Sequence, residues 1–174
     1  MGNSPFHMEH RPALRRSGPL GALMDEYERA ATELKERIAL LPLSSYTELL
    51  AEGVQLRGLG SIRIVVLQVI DRGFHIANMI RRRFGMQEFQ HGMRAETPEL
   101  ASMSLNAMLA CTEGALEGHW ELDEHELGTI LISAPWGTDY TLEQLLEHAI
   151  VIVLRQRRIV DHYLEQMQDR RARD

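Results

Sequence analysis

Residues 136–158 read WGTDYTLEQLLEHAIVIVLRQRR, and this stretch decides the fold. Thr141 and Gln144 have the S/T-x-x-E/Q spacing of a capping box, in which hydroxyl and amide side chains satisfy the first free N–H groups of a helix. Leu145, Ala149, Ile152, Val153 and Val160 then recur at intervals of three and four, with Gln156 near the same face. That is the period of a helix burying one stripe. The pattern persists to about Gln168. A helix this long needs neighbours of similar length to cover its apolar face.

Working outward, three such neighbours are present. Leu20, Leu23, Met24, Tyr27, Ala31, Leu34 and Ile38 predict a helix from about Pro19 to Leu41, ended by Pro42. A short helical turn is expected around Tyr46–Ala51, and three glycines mark Glu52–Gly60 as a connector. Ser61 is a good N-cap for a helix reaching about Phe84, built on Ile62, Val65, Val66, Val69, Ile70, Phe74, Ala77 and Ile80. Its β-branched residues also allow a strand over Ile62–Ile70, but the period persists through Ile80 and favours helix. Gly73 suits a close helix–helix approach, and Gly85 a C-terminal cap. Thr97-Pro98-Glu99 combines a hydroxyl cap, proline at the first position and an acid in the first turn. It starts a helix expected to reach about His119. Residues 121–140 read as irregular, with Leu127–Gly137 alternating well enough for a short strand or hairpin arm. The predicted fold is therefore all-α: an antiparallel four-helix bundle with a short irregular or hairpin segment before the last helix. It spans residues 19–168, between a disordered N-terminal tail, 1–18, and a charged C-terminal tail, 169–174.

Composition narrows the function. The chain has 174 residues, 44% hydrophobic and 25% charged, enough for one core without disulfides or a structural metal. Its single cysteine, Cys111, cannot form an intramolecular disulfide and fits the reducing cytoplasm where the chain is expected. The net charge of −6 gives no global case for nucleic-acid binding. The clusters Arg81-Arg82-Arg83 and Arg155/Arg157/Arg158 lie toward helix C-termini, where positive charge complements the helix dipole. No run approaches the roughly 18 uninterrupted apolar residues of a membrane span, and the N-terminus lacks the apolar core of a secretory signal. No phosphate loop, HExxH, CxxC or GxSxG is present.

The layout resembles the DinB-like (YfiT/DinB) superfamily of bacterial four-helix bundles. The resemblance rests on SIRIVVLQVIDRGFHIANMIRR, residues 61–82, and on Trp136-Gly137, Tyr140, Glu143-Gln144 and Glu147-His148-Ala149. It implies a divalent metal held by three histidines, one on the second long helix and two on the last at i and i+4, positions that share a helix face. Open coordination positions would then face solvent or substrate. Carried onto this chain, the triad falls on Gln68, His148 and Ile152. Only His148 is a good ligand; Gln68 offers a poor carbonyl donor and Ile152 none. The resemblance thus implies a degenerate site without a cofactor. The expected function is binding of a small molecule or partner without catalysis.

Alternatives remain open. Asp71 and His75 are four apart and share roughly one face with Gln68, so Asp71, His75 and His148 form a candidate relocated two-histidine, one-carboxylate set for zinc or nickel. With metal retained there, or at His148 with Gln68, the resemblance implies transfer of a low-molecular-weight thiol to an electrophile. A homodimer without ligand is a third possibility, through apolar surplus on the first two long helices. His119, Glu121, Asp123, Glu124 and His125 crowd one loop and read as solvated. Cys111 reads as a buried, inert thiol. Trp136 is expected to plug the end of the bundle with its indole N–H satisfied locally, beside Tyr140.

Overall fold

The computed structural model describes residues 16–49, 60–90, 92 and 94–172. Within them the chain is mostly helical, with six helices and one two-stranded sheet: α1 (Gly18–Ala39), α2 (Leu43–Thr47), α3 (Ile62–Arg83), α4 (Pro98–Ala115), α5 (Glu124–Thr129), β1 (Leu131–Ser133), β2 (Asp139–Thr141) and α6 (Leu142–Arg171). The anticipated caps are in place. Ser61 Oγ accepts from the Ile64 N–H, and Thr97 Oγ1 from the Leu100 N–H. Thr141 and Gln144 form the complete reciprocal box. Each such cap is worth about 1 kcal/mol.

The four long helices bury their apolar stripes on one another. α1 packs against α4 and α6, and α3 packs against the same two. Leu20, Met24, Tyr27, Leu34 and Ile38 from α1 meet Val65, Val66, Val69 and Ile70 from α3 in one core with Leu105 and Met108 of α4 and Leu145, Val153 and Val160 of α6. Most apolar residues of α1 and α3 are thus buried within the chain. Gly73 sits where Met108 and the Tyr27 hydroxyl press against the α3 backbone.

Neighbouring helices do not all run antiparallel. Arg16 bonds Glu113, and Lys35 bonds Asn106, so α1 and α4 run in opposite senses. Glu33 meets Arg157 and Arg37 meets Asp161, so α1 and α6 advance together. The Phe84 ring stacks on His119, joining the ends of α3 and α4, while Arg83 reaches Leu131, near the start of α6. α3 therefore runs parallel to α4 and antiparallel to α6. The physical reason lies in connection 84–97, which spans at most about 45 Å when extended. That is enough to return along α3, whose 22 residues measure about 33 Å.

Several boundaries differ from expectation. The N-terminal tail, 1–18, lies outside the described residues up to 15, but Arg16 is firmly tied to Asp25, Glu28 and Glu113, and α1 starts at Gly18. Connector 52–60 lies outside them except Gly60. The short helix forms at Leu43–Thr47, earlier than expected, with Thr47 Oγ1 donating to the Leu43 carbonyl. α4 stops at Ala115, and α6 continues to Arg171, into the expected charged tail. The segment expected to be irregular contains α5, opened by an Asp123/Glu126 capping box. Of the expected strand segment 127–137, residues 127–129 belong to α5 and only Leu131–Ser133 form β1, which pairs antiparallel with β2 so that Ile132 lies opposite Tyr140. Among the described residues, no helix is long and apolar enough to cross a membrane.

Candidate functional site

A cavity of about 410 Å³ lies between α3 and α6 beside the hairpin. α6 supplies partly buried His148 and, one turn on, Ile152, only 7% exposed. α3 supplies Asp71, Arg72 and His75, all exposed, above buried Ile76. The hairpin closes one side. Its turn relies on Gly137 at φ +84°, a conformation that L side chains rarely adopt. The Ala134 carbonyl accepts from the Gly137 N–H at 2.9 Å, and the Ala134 N–H donates to Thr138 at 2.9 Å. This turn projects Trp136 over the cavity.

The aromatic groups there form a chain of contacts. Trp136 Nε1 donates to the Tyr140 hydroxyl at 3.3 Å, and the two rings meet edge to face at 6.2 Å. Trp136 also lies 6.0 Å from the His75 ring, and Tyr140 stacks on His148 at 5.6 Å. The indole N–H is satisfied locally, as the sequence suggested, yet Trp136 remains 52% exposed. It is an edge of the cavity and not a sealed plug.

A second, open cleft of about 780 Å³ adjoins the first along the same helix pair, and Arg72 and Ile152 line both. Gln68 belongs to this second cleft, with Arg155, Gln156 and Arg158. Gln156 is only 8% exposed, and its amide oxygen has no hydrogen-bond partner. An unsatisfied buried acceptor costs about 1–3 kcal/mol.

The candidate ligands are thus redistributed. His148 and Ile152 share a cavity, but Gln68 is not part of its wall; Asp71, Arg72 and His75 occupy the facing side of α3. The three-histidine pattern does not fit the residues carried over, because an amide at Gln68 and an aliphatic side chain at Ile152 stand where imidazoles would be needed. Asp71, His75 and His148 do line one cavity. Among the described residues, however, no three His, Cys, Asp or Glu side chains are grouped so as to hold a metal ion. His119 stacks on Phe84, and Asp123 caps α5, so these two residues of the acidic loop serve local structure. Cys111 is 8% exposed and burial pushes its thiol pKa up, which disfavours the nucleophilic thiolate. Arg155 and Arg158 read in the sequence as helix-end charges, and Arg72 has no assigned role there. Their spacing held the signal: Arg155 follows His148 by seven residues, and Arg72 follows Gln68 by four, placing each on the same helix face.

Burial of the His148 ring, followed by the nearby charges of Arg72 and Arg155, holds its pKa below the ordinary 6.5. The unfolded chain therefore takes up this proton first. Stability associated with neutral His148 is present above about pH 6.5 and declines as pH falls through that value toward the folded pKa. NMR titration of the native ring should give a midpoint below 6.5, and Arg72→Gln should raise it. An unchanged midpoint would remove Arg72 from the ring's electrostatic surroundings.

No family model matches the chain, and neither a curated protein nor a solved structure gives a match.

Proposed function

We propose that this chain is a DinB-like four-helix bundle that binds a small molecule between α3 and α6, with its metal site lost. The finer architecture in this proposal is an up–down–down–up bundle. Its support is the set of contacts among the four long helices and the caps that open α3, α4 and α6. The observation carrying the functional reading is the cavity that sets His148 beside Ile152 and Arg72 under the Trp136–Tyr140 edge. Its volume is in the range of small-ligand sites. Its lining joins an aromatic surface to a few polar groups that can orient a ligand, while a hydrocarbon and a cation replace potential metal donors.

A second reading draws on the presence of Asp71, His75 and His148 around that same cavity. It makes the chain a divalent-metal-dependent enzyme acting on a low-molecular-weight thiol. Metal analysis separates the two. Protein purified without chelator or an affinity-tag metal should carry far less than one zinc or nickel per chain, while small aromatic ligands quench Trp136 fluorescence saturably. Near-stoichiometric metal that disappears on His148→Ala would overturn the metal-free reading. Absence of saturable quenching, with Trp120→Phe used to isolate Trp136, would remove the support for small-molecule binding.

A further inference from the structure

The two adjoining spaces between α3 and α6 differ in chemistry. The cavity around His148 has an aromatic edge, whereas the larger cleft is lined by Arg72, Arg155 and Arg158. None of these three arginines makes an ion pair within 4.0 Å of a described residue. Two carboxylates also line the cleft, fewer than the three guanidinium groups, and one of them is paired elsewhere. Asp161 pairs with Arg37 at 3.0 Å and lies 4.0 Å from Arg157, and Glu165 lies 3.8 Å from His162. The cleft therefore retains an excess of positive charge within a chain whose net charge is −6.

Gln156 supplies the second, independent observation. Its side chain is more than nine-tenths buried, lines the cleft and leaves its amide oxygen without a partner. Rotation of the amide can offer either C=O or N–H, matching an acidic group that also carries a hydroxyl. Guanidinium groups suit such ligands because their planar forks pair with the oxygens of carboxylates and phosphates.

We propose that the cleft is an oxyanion subsite: Arg72, Arg155 and Arg158 hold a carboxylate or phosphate group of the small molecule, Gln156 meets its hydroxyl, and the rest extends toward Trp136. This rests on the binding reading above and adds the ligand's chemical class. Arg72 and Ile152, shared by both spaces, make the joint between head and body.

Inorganic phosphate and malate are the two probes, titrated separately at constant ionic strength against chloride. Side-chain NMR of Gln156 and the three arginine Nε–H groups gives the readout. Saturation by either probe is expected, and its identity distinguishes phosphate from carboxylate ligands. Arg72→Gln, Arg155→Gln and Arg158→Gln combined, at exposed positions that should preserve the fold, should weaken binding at least about tenfold. Gln156→Leu should erase any preference for malate over succinate, which lacks the hydroxyl. Failure of both probes to saturate, or unchanged affinity in a folded triple variant, would overturn the subsite. If a neutral aromatic still quenches Trp136 saturably in that case, small-molecule binding survives and only the oxyanion assignment falls. If neither response occurs, both fall.

Discussion

Arg72→His combined with Ile152→His should convert the His148 cavity into a divalent-metal site, binding zinc or nickel at least about 100-fold more tightly than the original chain. The expectation follows from shared position. His148 and Ile152 are one turn apart on α6, and Arg72 lines the same cavity from α3. Three imidazoles would then replace one imidazole, a hydrocarbon and a cation. Removing Arg72 also removes one of the charges that disfavours a second positive charge at His148. Without metal, a polar ring at the nearly buried position 152 should lower stability by about 1–3 kcal/mol. Metal should restore it, because a ligand specific for the folded state stabilises that state by mass action. Calorimetric titration and metal-dependent thermal unfolding test both parts. The pair Gln68→His and Ile152→His should bind more weakly, since Gln68 meets Ile152 in the adjoining cleft but does not line the cavity that holds His148. If that pair gives the stronger site, or Arg72→His with Ile152→His folds and binds nothing, the cavity assignment is wrong.

Gly73→Leu should destabilise the chain by more than about 3 kcal/mol, because overpacking a filled core usually costs about 1–3 kcal/mol even for modest additions. A Cβ at residue 73 would stand 2.5 Å from Met108 Cγ and 2.9 Å from the Tyr27 hydroxyl, and closer still to Met108 Sδ. These groups are buried and come from two helices, α4 and α1, that both press on α3 here, with Tyr27 donating to Met108 Sδ at 3.5 Å. Alanine normally gains about 1 kcal/mol over glycine inside a helix; here that gain is opposed by the clash. Urea unfolding of Gly73→Leu, Met108→Ala and the double variant measures the coupling. The double variant should be more stable than the sum of the two single losses predicts, because shortening Met108 makes room. Strict additivity, or a wild-type midpoint for Gly73→Leu, would separate α3 from α4 at this point.

Both tests depend on placements that the sequence shows only in part. The starts of α3, α4 and α6 were readable from Ser61, Thr97-Pro98 and Thr141/Gln144, since capping is a local exchange of hydrogen bonds. Gly73 was readable as a position of close approach, but not which helix would press on it. α5 also had a local signal, Asp123 with Glu126, hidden among acidic residues and followed by only a single turn of helix. At the candidate site, helical spacing related His148 to Ile152 and Gln68 to Arg72. It could not state which turn of α3 faces which turn of α6; Gln68 lines the cleft that adjoins the His148 cavity, and Arg72 and Ile152 line both.

The amino-acid pattern determined the predominantly helical character, the buried stripes and the capped helix starts, because these arise from contacts within a few turns of chain. Tertiary structure alone decided the mixture of parallel and antiparallel neighbours, the partition of Gln68 and His148 between two spaces, and the gathering of Arg72, Arg155 and Arg158 around Gln156. A stripe specifies that a helix face must be covered; axial register and choice of neighbour depend on how all the side chains fit together and on the reach of the connections.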